Sequence, residues 1–178
     1  MAWANVQPAP TIKLMAASPS ELHLRAATLG DAPQMLAVIQ AAFAEHRGRL
    51  DPPSSAERKT IALMRDELSD AHGFVACDDA GTVVGCVVAH HVANALHWER
   101  LAVLPAYRGR RLATRLMDRV EQCARELSVE ILRLEVRLAM THNRALYVSR
   151  GYRVVGYGAH DGYPAPTYQI MEKTLRRQ

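Results

Sequence analysis

Residues 101–117 read LAVLPAYRGRRLATRLM, an apolar run, a short basic turn and the first turns of a regular amphipathic pattern. Leu101 to Leu104 continue a β-rich segment that starts at Ala95, and Pro105 to Arg110 form the turn. Leu112, Ala113, Leu116, Met117, Val120, Cys123, Ala124 and Leu127 then trace one stripe at helical spacing. A strand therefore runs straight into a helix. N–H groups in the first turn of such a helix have no intrahelical acceptor and lie at the positive end of its dipole, so an anion placed there gains charge-assisted hydrogen bonds. Arg108, Arg110 and Arg111 add mobile positive charge, Gly109 lets the backbone approach a ligand, and Ala113 keeps the first turn slim. Three arginines alone are equally a solvated helix face. Their place in the turn itself, between apolar strand and helix, favours a phosphate grip, although neither GxxxxGK(S/T) nor GxGxxG is present.

Outward from this stretch, Glu21 to Ala26 reads as a strand. Asp31 is a candidate N-cap with Pro33 in the first turn of a helix that ends near His46, its apolar stripe formed by Met35, Leu36, Ile39, Ala42 and Phe43. Arg47 to Ser55 is a loop, and Ser55 to Ser69 a second helix with Ile61, Met64 and Leu68 on its inner face. Gly73 to Cys77 and Thr82 to His91 are strands joined by the hairpin signal Asp78-Asp79-Ala80-Gly81. Beyond the long helix, Glu130 to Leu138 alternates as a strand, Thr141 to Ser149 is helical, Gly151 ends it, and Arg153 to Gly158 and Thr167 to Thr174 close the chain as strands. This order predicts an α/β fold: a single mixed, mostly antiparallel sheet of six to seven strands with helices on both faces.

Length and composition agree with that reading. The 178 residues suit one domain over residues 21–178 behind a flexible leader over residues 1–20. The 49% apolar and 22% charged balance excludes a disordered or collagen-like chain. Twenty-two Lys and Arg against eighteen Asp and Glu leave a net charge of +4, too mild for a dedicated nucleic-acid binder. The arginine-rich segment Arg108 to Arg119 also lacks an aromatic stacking set. Cys77, Cys86 and Cys123 have neither disulfide nor zinc spacing, and no run approaches the roughly 20 apolar residues that cross a membrane. A cytoplasmic, soluble protein is expected, with no metal; a homodimer is left open.

At the turn the sequence resembles the GCN5-related N-acetyltransferases, the GNAT superfamily, whose signature Arg/Gln-x-x-Gly-x-Gly/Ala lies between the fourth strand and the third helix. Arg108-Gly109-Arg110-Arg111-Leu112-Ala113 occupies that slot, and the likeness extends through SRGY at Ser149 to Tyr152 to MEKTL at Met171 to Leu175. Arg111 stands where the signature has its inner glycine; it either narrows the cradle or grips a phosphate itself. The resemblance implies an acyl-CoA N-acyltransferase fold and acetyl-CoA as co-substrate, held in a V-shaped opening between the fourth and fifth strands. Backbone groups at Leu101, Ala102 and Val103 would meet the pantetheine arm, and the turn from Arg108 to Ala113 the pyrophosphate. Such splaying calls for a bulge.

Transfer of acetyl to an amine needs a base, because a lysine-like amine with pKa about 10.4 is mostly protonated, and an acid for the departing thiolate. His97 and Glu99 alternate on one strand before Leu101 and Val103, so all four are expected on the sheet face that carries the pantetheine. Glu99 ranks above His97 as the base, against a plain surface pairing with Arg100 and a partly buried core histidine. Tyr147, four residues before Gly151, matches the family's tyrosine that protonates the coenzyme A sulfur, against a packing aromatic. Asn143 is a candidate contact to the pantetheine arm, although the family's usual asparagine position holds Met140 here. No acyl-enzyme is required, since an amine attacks a held thioester directly. The loops around Glu45 to Ser55 and Ala159 to Pro166 would select the acceptor, with Glu45, Asp51 and Asp161 as charges and Trp98 and Tyr163 as apolar walls. The acceptor is a small-molecule amine, a peptide N-terminus or a protein lysine. The alternative class is an acyl-CoA binding or sensor module without turnover.

Overall fold

The computed structural model describes residues 21–176; the leader expected over residues 1–20 lies outside them. Its strands are β1 His23–Ala26, β2 His72–Cys77, β3 Val83–Val92, β4 Ala95–Val103, β5 Ile131–Arg137, β6 Arg153–Gly158 and β7 Tyr168–Thr174. The helices are α1 Ala32–Phe43, α2 Ile61–Ser69, α3 Leu112–Glu126 and α4 Thr141–Ser149. The strands form one seven-stranded sheet in the order β1-β2-β3-β4-β5-β7-β6. Every neighbouring pair is antiparallel except β4 and β5, which run parallel.

The sheet has a core on each face. Under α3 lie Leu96, Trp98, Leu132, Leu134 and Val136, packed against Leu112, Leu116, Met117 and Val120 of the helix. Under α1 and α2 lie Val75, Cys86, Val88 and Ala102, against Met35, Ile39 and Met64. Gly85 sets the height of α3, since a Cβ there would meet Ala102 O at 3.2 Å and Leu112 and Leu116 at 3.3 Å. The helix start is thereby seated directly over β3 and β4.

α1 starts where expected, with Asp31 at its N-cap position and Pro33 in the first turn, but the Asp31 side chain makes no capping bond to it. Its carboxylate instead accepts from the Thr28 N–H at 2.7 Å and takes the Arg25 guanidinium at 2.7 and 2.8 Å, closing the 3-10 turn before the helix. The bond from Arg25, with those from Thr28, holds this buried carboxyl well below the usual range. The second helix starts later than expected. Residues 55–57 form a separate 3-10 turn capped by the Ser54 hydroxyl, and α2 begins only after Thr60, whose hydroxyl accepts from Leu63 N–H. With that start Met64 and Leu68 are buried, whereas Ile61 is 43% exposed. All three cysteines are buried and unpaired, as small hydrophobes are. Among the described residues no helix is long and apolar enough to cross a membrane.

Candidate active site

Pairing between β4 and β5 stops at His97 and Arg133. Beyond that point the strands diverge, and the backbone of β4 from Trp98 to Val103 has no strand partner on that side. A bulge accompanies the divergence: Val88 pairs with Glu99 and Cys86 with Ala102, so Arg100 and Leu101 oppose the single residue Val87. Arg100 takes a left-handed φ of 60° to make it.

This bulge overturns one expectation. His97 and Glu99 do not share a face with Leu101 and Val103. The extra residue shifts the alternation, so Leu101 and Val103 join the α3 core while Ala102 points to α1 and α2. Glu99 instead meets α2, and His97 pairs in register with His90.

Two cavities adjoin across the divergence, and Phe43, Leu101, Met140 and Asn143 line both. The first, of about 410 Å³, lies beneath the start of α3, between the end of α1 and the start of α4. Leu101 to Val103, Arg108, Gly109 and Arg111 to Ala113 all border it. Gly109 and Arg111 both carry left-handed φ, 76° and 57°. Leu112, Ala113 and Thr114 have no intrahelical acceptor, because the first helical bond runs from Arg115 N–H to Arg111 O. The arginines are less mobile than their exposure suggests. Arg108 is forked onto Glu45 at 2.9 and 3.0 Å and bonds Ala42 O, and Arg110 lies over the Tyr107 ring at 5.2 Å. Neither the Arg110 nor the Arg111 side chain makes a hydrogen bond or ion pair with a described residue, and Arg111 also lacks the ring contact that Arg110 makes.

The second cavity, of about 190 Å³, fills the opening between the strands and is lined by His97, Glu99, Arg100, Arg137, Tyr147 and His160 among others. Glu99 sits in a cluster: His90 Nε2 at 3.5 Å, Arg100 at 3.5 Å, and Glu67 of α2, which is itself paired with Lys59 at 2.5 Å and Arg100 at 3.3 Å. Burial pushes the Glu99 carboxyl up, Arg100 offsets part of this, and a hydrogen bond shared with Glu67 adds to the rise. Burial pushes Glu67 up too, but Lys59, Arg100 and Glu99 bring it below the ordinary range. Glu67, His90 and Glu99 hold one ligand atom each within 4.8 Å of one another, a spacing a cation could use, but Lys59 and Arg100 already compete for those carboxylates. His97 is kept neutral by burial, and its Nε2 is buried without a hydrogen-bond partner.

Tyr147 reaches the same opening from the other face. It is 6% exposed, packs edge-on against Trp98 at 5.4 Å, and burial raises its phenol, opposed by a hydrogen bond with Asn143 one turn earlier. Trp98, expected as an acceptor wall, is 1% exposed and bonds Tyr152 Oη at 2.9 Å, so its indole belongs mainly to the core. Of the loop charges, Glu45 is held by Arg108 and Asp51 by the Tyr163 hydroxyl. Sequence reasoning missed Glu67, Lys59 and Arg137. The only signal for Arg137 was the period of β5, which sets Arg133, Glu135 and Arg137 opposite the buried Leu132, Leu134 and Val136.

Residues 35–158 match the model of the Acetyltransferase (GNAT) family. An "IAA acetyltransferase" from Azospirillum brasilense is 32% identical over 105 residues, 57% of this chain and 67% of that one. The PaiA N-acetyltransferase of Thermoplasma acidophilum, solved in complex with coenzyme A, superposes with a TM-score of 0.71 at 18% identity, over 87% of this chain and 99% of its own. The Escherichia coli ribosomal-protein-S18-alanine N-acetyltransferase gives 0.70 at 19%, over 89% and 96%. At such identities the two structures speak to the fold alone.

Proposed function

The chain belongs to the acetyltransferase (GNAT) family, and on that premise we propose that it moves an acetyl group from acetyl-CoA to a primary amine by direct attack in a ternary complex. The observation that carries this reading is the junction of the two cavities: candidate acid and base line one opening from opposite sheet faces, and that opening adjoins the space beneath the α3 start.

The residues present fit the donor. The free N–H groups of Leu112, Ala113 and Thr114, with Arg111 beside them, suit the pyrophosphate, and the unpaired edge of β4 from Leu101 to Val103 suits the pantetheine amides. Arg108 and Arg110 contribute charge from their anchored positions, Gly109 contributes close backbone approach, and Asn143 borders the arm where the cavities meet. Bound there, acetyl-CoA would supply a carbonyl carbon joined to a thiolate leaving group.

The chain's own work is to move two protons. Glu99 takes one from the incoming ammonium, so that the amine nitrogen has a free pair as the N–C bond forms. Its raised pKa brings it nearer the amine than an ordinary carboxylate, which is the direction a general base needs. His97, neutral and with an unpartnered Nε2, is the second candidate for the same proton. Tyr147 stays protonated at neutral pH because burial raises it, and gives its proton to the sulfur as the C–S bond breaks; the second proton of the acylated nitrogen passes through solvent to the tyrosinate, which leaves a neutral amide, free thiol and protonated Glu99 that then releases its proton to solvent. Cys86 and Cys123 are poor competing nucleophiles, since burial pushes the Cys86 thiol up strongly and Cys123 up as well.

The test is release of free thiol from acetyl-CoA in the presence of an amine panel, for wild type and Glu99→Gln. We expect turnover in the wild type and a loss of roughly 100- to 10,000-fold in kcat/KM in the variant, with coenzyme A affinity unchanged. Binding without turnover in the wild type would make the protein a sensor module instead. An unaltered rate in Glu99→Gln would transfer the base role to His97.

A further inference from the structure

We infer that the acceptor is a small amine that also carries a carboxylate, an amino acid in the broad sense, and that Arg137 is the residue that receives the carboxylate. This rests on the acetyl-transfer reading of the same site and adds to it the class of acceptor.

Consider first the charges that line the opening between β4 and β5. It contains two guanidinium groups, Arg100 and Arg137. Arg100 is already matched, by Glu67 at 3.3 Å and Glu99 at 3.5 Å, and it also bonds the Ser55 hydroxyl at 2.9 Å. Arg137 is different. Its two side-chain hydrogen bonds go to neutral acceptors, the Pro52 carbonyl and His160 Nε2. Among the described residues no carboxylate lies within 4.0 Å of it. Asp51 acts on it only from farther away, its carboxylate occupied by the Tyr163 hydroxyl.

A guanidinium that loses water without gaining a counter-charge is unfavourable unless something else supplies the charge. Burial here even lowers the Arg137 pKa, against the direction an ion pair would give. Two of its five N–H donors are used, which leaves a fork of the kind that takes a carboxylate edge-on. The fork is also held in place. His160 is fixed by Thr167 Oγ1 and stands edge-on to the Tyr168 ring at 5.2 Å, and burial keeps its imidazole neutral, so that Nε2 accepts rather than repels.

Next, the positions fit one molecule. Arg137 lies at the end of β5 and Glu99 on β4, both on the α1 and α2 face of the sheet, on the two arms of one divergence. An ammonium delivered to Glu99 and a carboxylate delivered to Arg137 span that gap. The cavity is small, about 190 Å³. At its Arg137 end two loops are joined, Arg137 tying Pro52 of one to His160 of the other, and Tyr163 bonding Asp51 between the same loops. A space of that size suits a small molecule.

The experiment compares acceptors that differ only in the carboxylate. Glycine, β-alanine, 4-aminobutyrate and a set of L-α-amino acids are each run against their carboxamides and simple alkylamines, with thiol release referred to the free-base amine. The wild type should favour one or more carboxylate-bearing members over their carboxamides by roughly 10- to 100-fold in kcat/KM. Arg137→Gln should remove most of that preference, raising KM for the carboxylate acceptors by far more than for their carboxamides, and Arg137→Lys should restore part of it. The carboxamides serve as the internal control for folding. Turnover of plain amines with no preference for the carboxylate, or an equal loss on both kinds of acceptor in Arg137→Gln, overturns the inference and leaves acetyl transfer standing. Absence of turnover with every amine, alongside tight coenzyme A binding, overturns both.

Discussion

At one end of the divergence between β4 and β5, five residues of one short turn, Arg108, Gly109, Arg111, Leu112 and Ala113, border a cavity. At the other end, Glu99 on β4, Arg137 on β5 and His160 in the loop before β7 bring side chains from three segments to one cavity, and Glu67 of α2 stands behind Glu99. The first end is built from geometry that any residues of suitable φ provide, with glycine at one of two left-handed positions. The second is built from particular charges, most of them neutralised in pairs. A donor common to a whole family needs only the first kind of site, whereas selecting an acceptor requires the second.

That contrast makes its sharpest prediction at the turn. Arg108→Glu with Arg110→Glu should weaken coenzyme A binding by roughly 10- to 100-fold, measured by calorimetry, and steepen no other parameter. Arg108 is paired with Glu45, and both side chains are more than 40% exposed, so loss of the pair should cost little stability. The KM for the amine should stay within about two-fold of wild type, because neither Arg108 nor Arg110 contacts Glu99, Arg100 or Arg137. A matching loss in amine KM would mean that the two ends are not separate.

The same contrast accounts for what could be read in advance. The turn was legible because its parts are contiguous and its neighbours, an apolar strand and a strongly periodic helix, have unmistakable periods. The seven strands and four helices followed from the same patterns. Orientation at the other end was not legible, because one inserted residue at Arg100 reverses which face every later β4 side chain occupies, and nothing in WERLAV marks the insertion. Glu67 was hidden for another reason. It lies 32 positions from Glu99 on a helix whose start was misplaced by six residues, since Ser54 and Thr60 cap two separate turns where one helix was expected. Arg25 and Asp31 show the same thing on a smaller scale: a carboxylate read as a helix cap is instead the partner of a guanidinium on β1.

A smaller effect is expected from Glu67→Gln. Glu67 raises Glu99 through a shared hydrogen bond and its own charge, and it neutralises Lys59 and Arg100 beside it. Removing it takes away both upward contributions and leaves two cations acting on Glu99, so the Glu99 pKa should fall. Because the base works only when deprotonated, the acid limb of kcat/KM should move to lower pH. The plateau rate should drop a few-fold, since a weaker base removes the proton less readily. A purely structural role for Glu67 would lower the plateau and leave the limb where it was. Coenzyme A affinity should not change, in contrast to the turn variant.

The smallest effect belongs to Arg111, which links the two ideas. It occupies a left-handed conformation, φ 57° and ψ 18°, at the N-cap of α3, where a Cβ crowds the following carbonyl at a cost of about 1 kcal/mol. Glycine removes that crowding but adds freedom to the unfolded chain, which returns part of the gain. Arg111→Gly should therefore raise the melting temperature by about 1–3 °C in a chain of this size. If the cradle is made of backbone, the coenzyme A dissociation constant should stay within about three-fold, because the N–H groups of Leu112, Ala113 and Thr114 are untouched. A loss of roughly 10-fold or more would instead make the guanidinium a phosphate ligand, and the turn would then depend on a side chain as the acceptor end does.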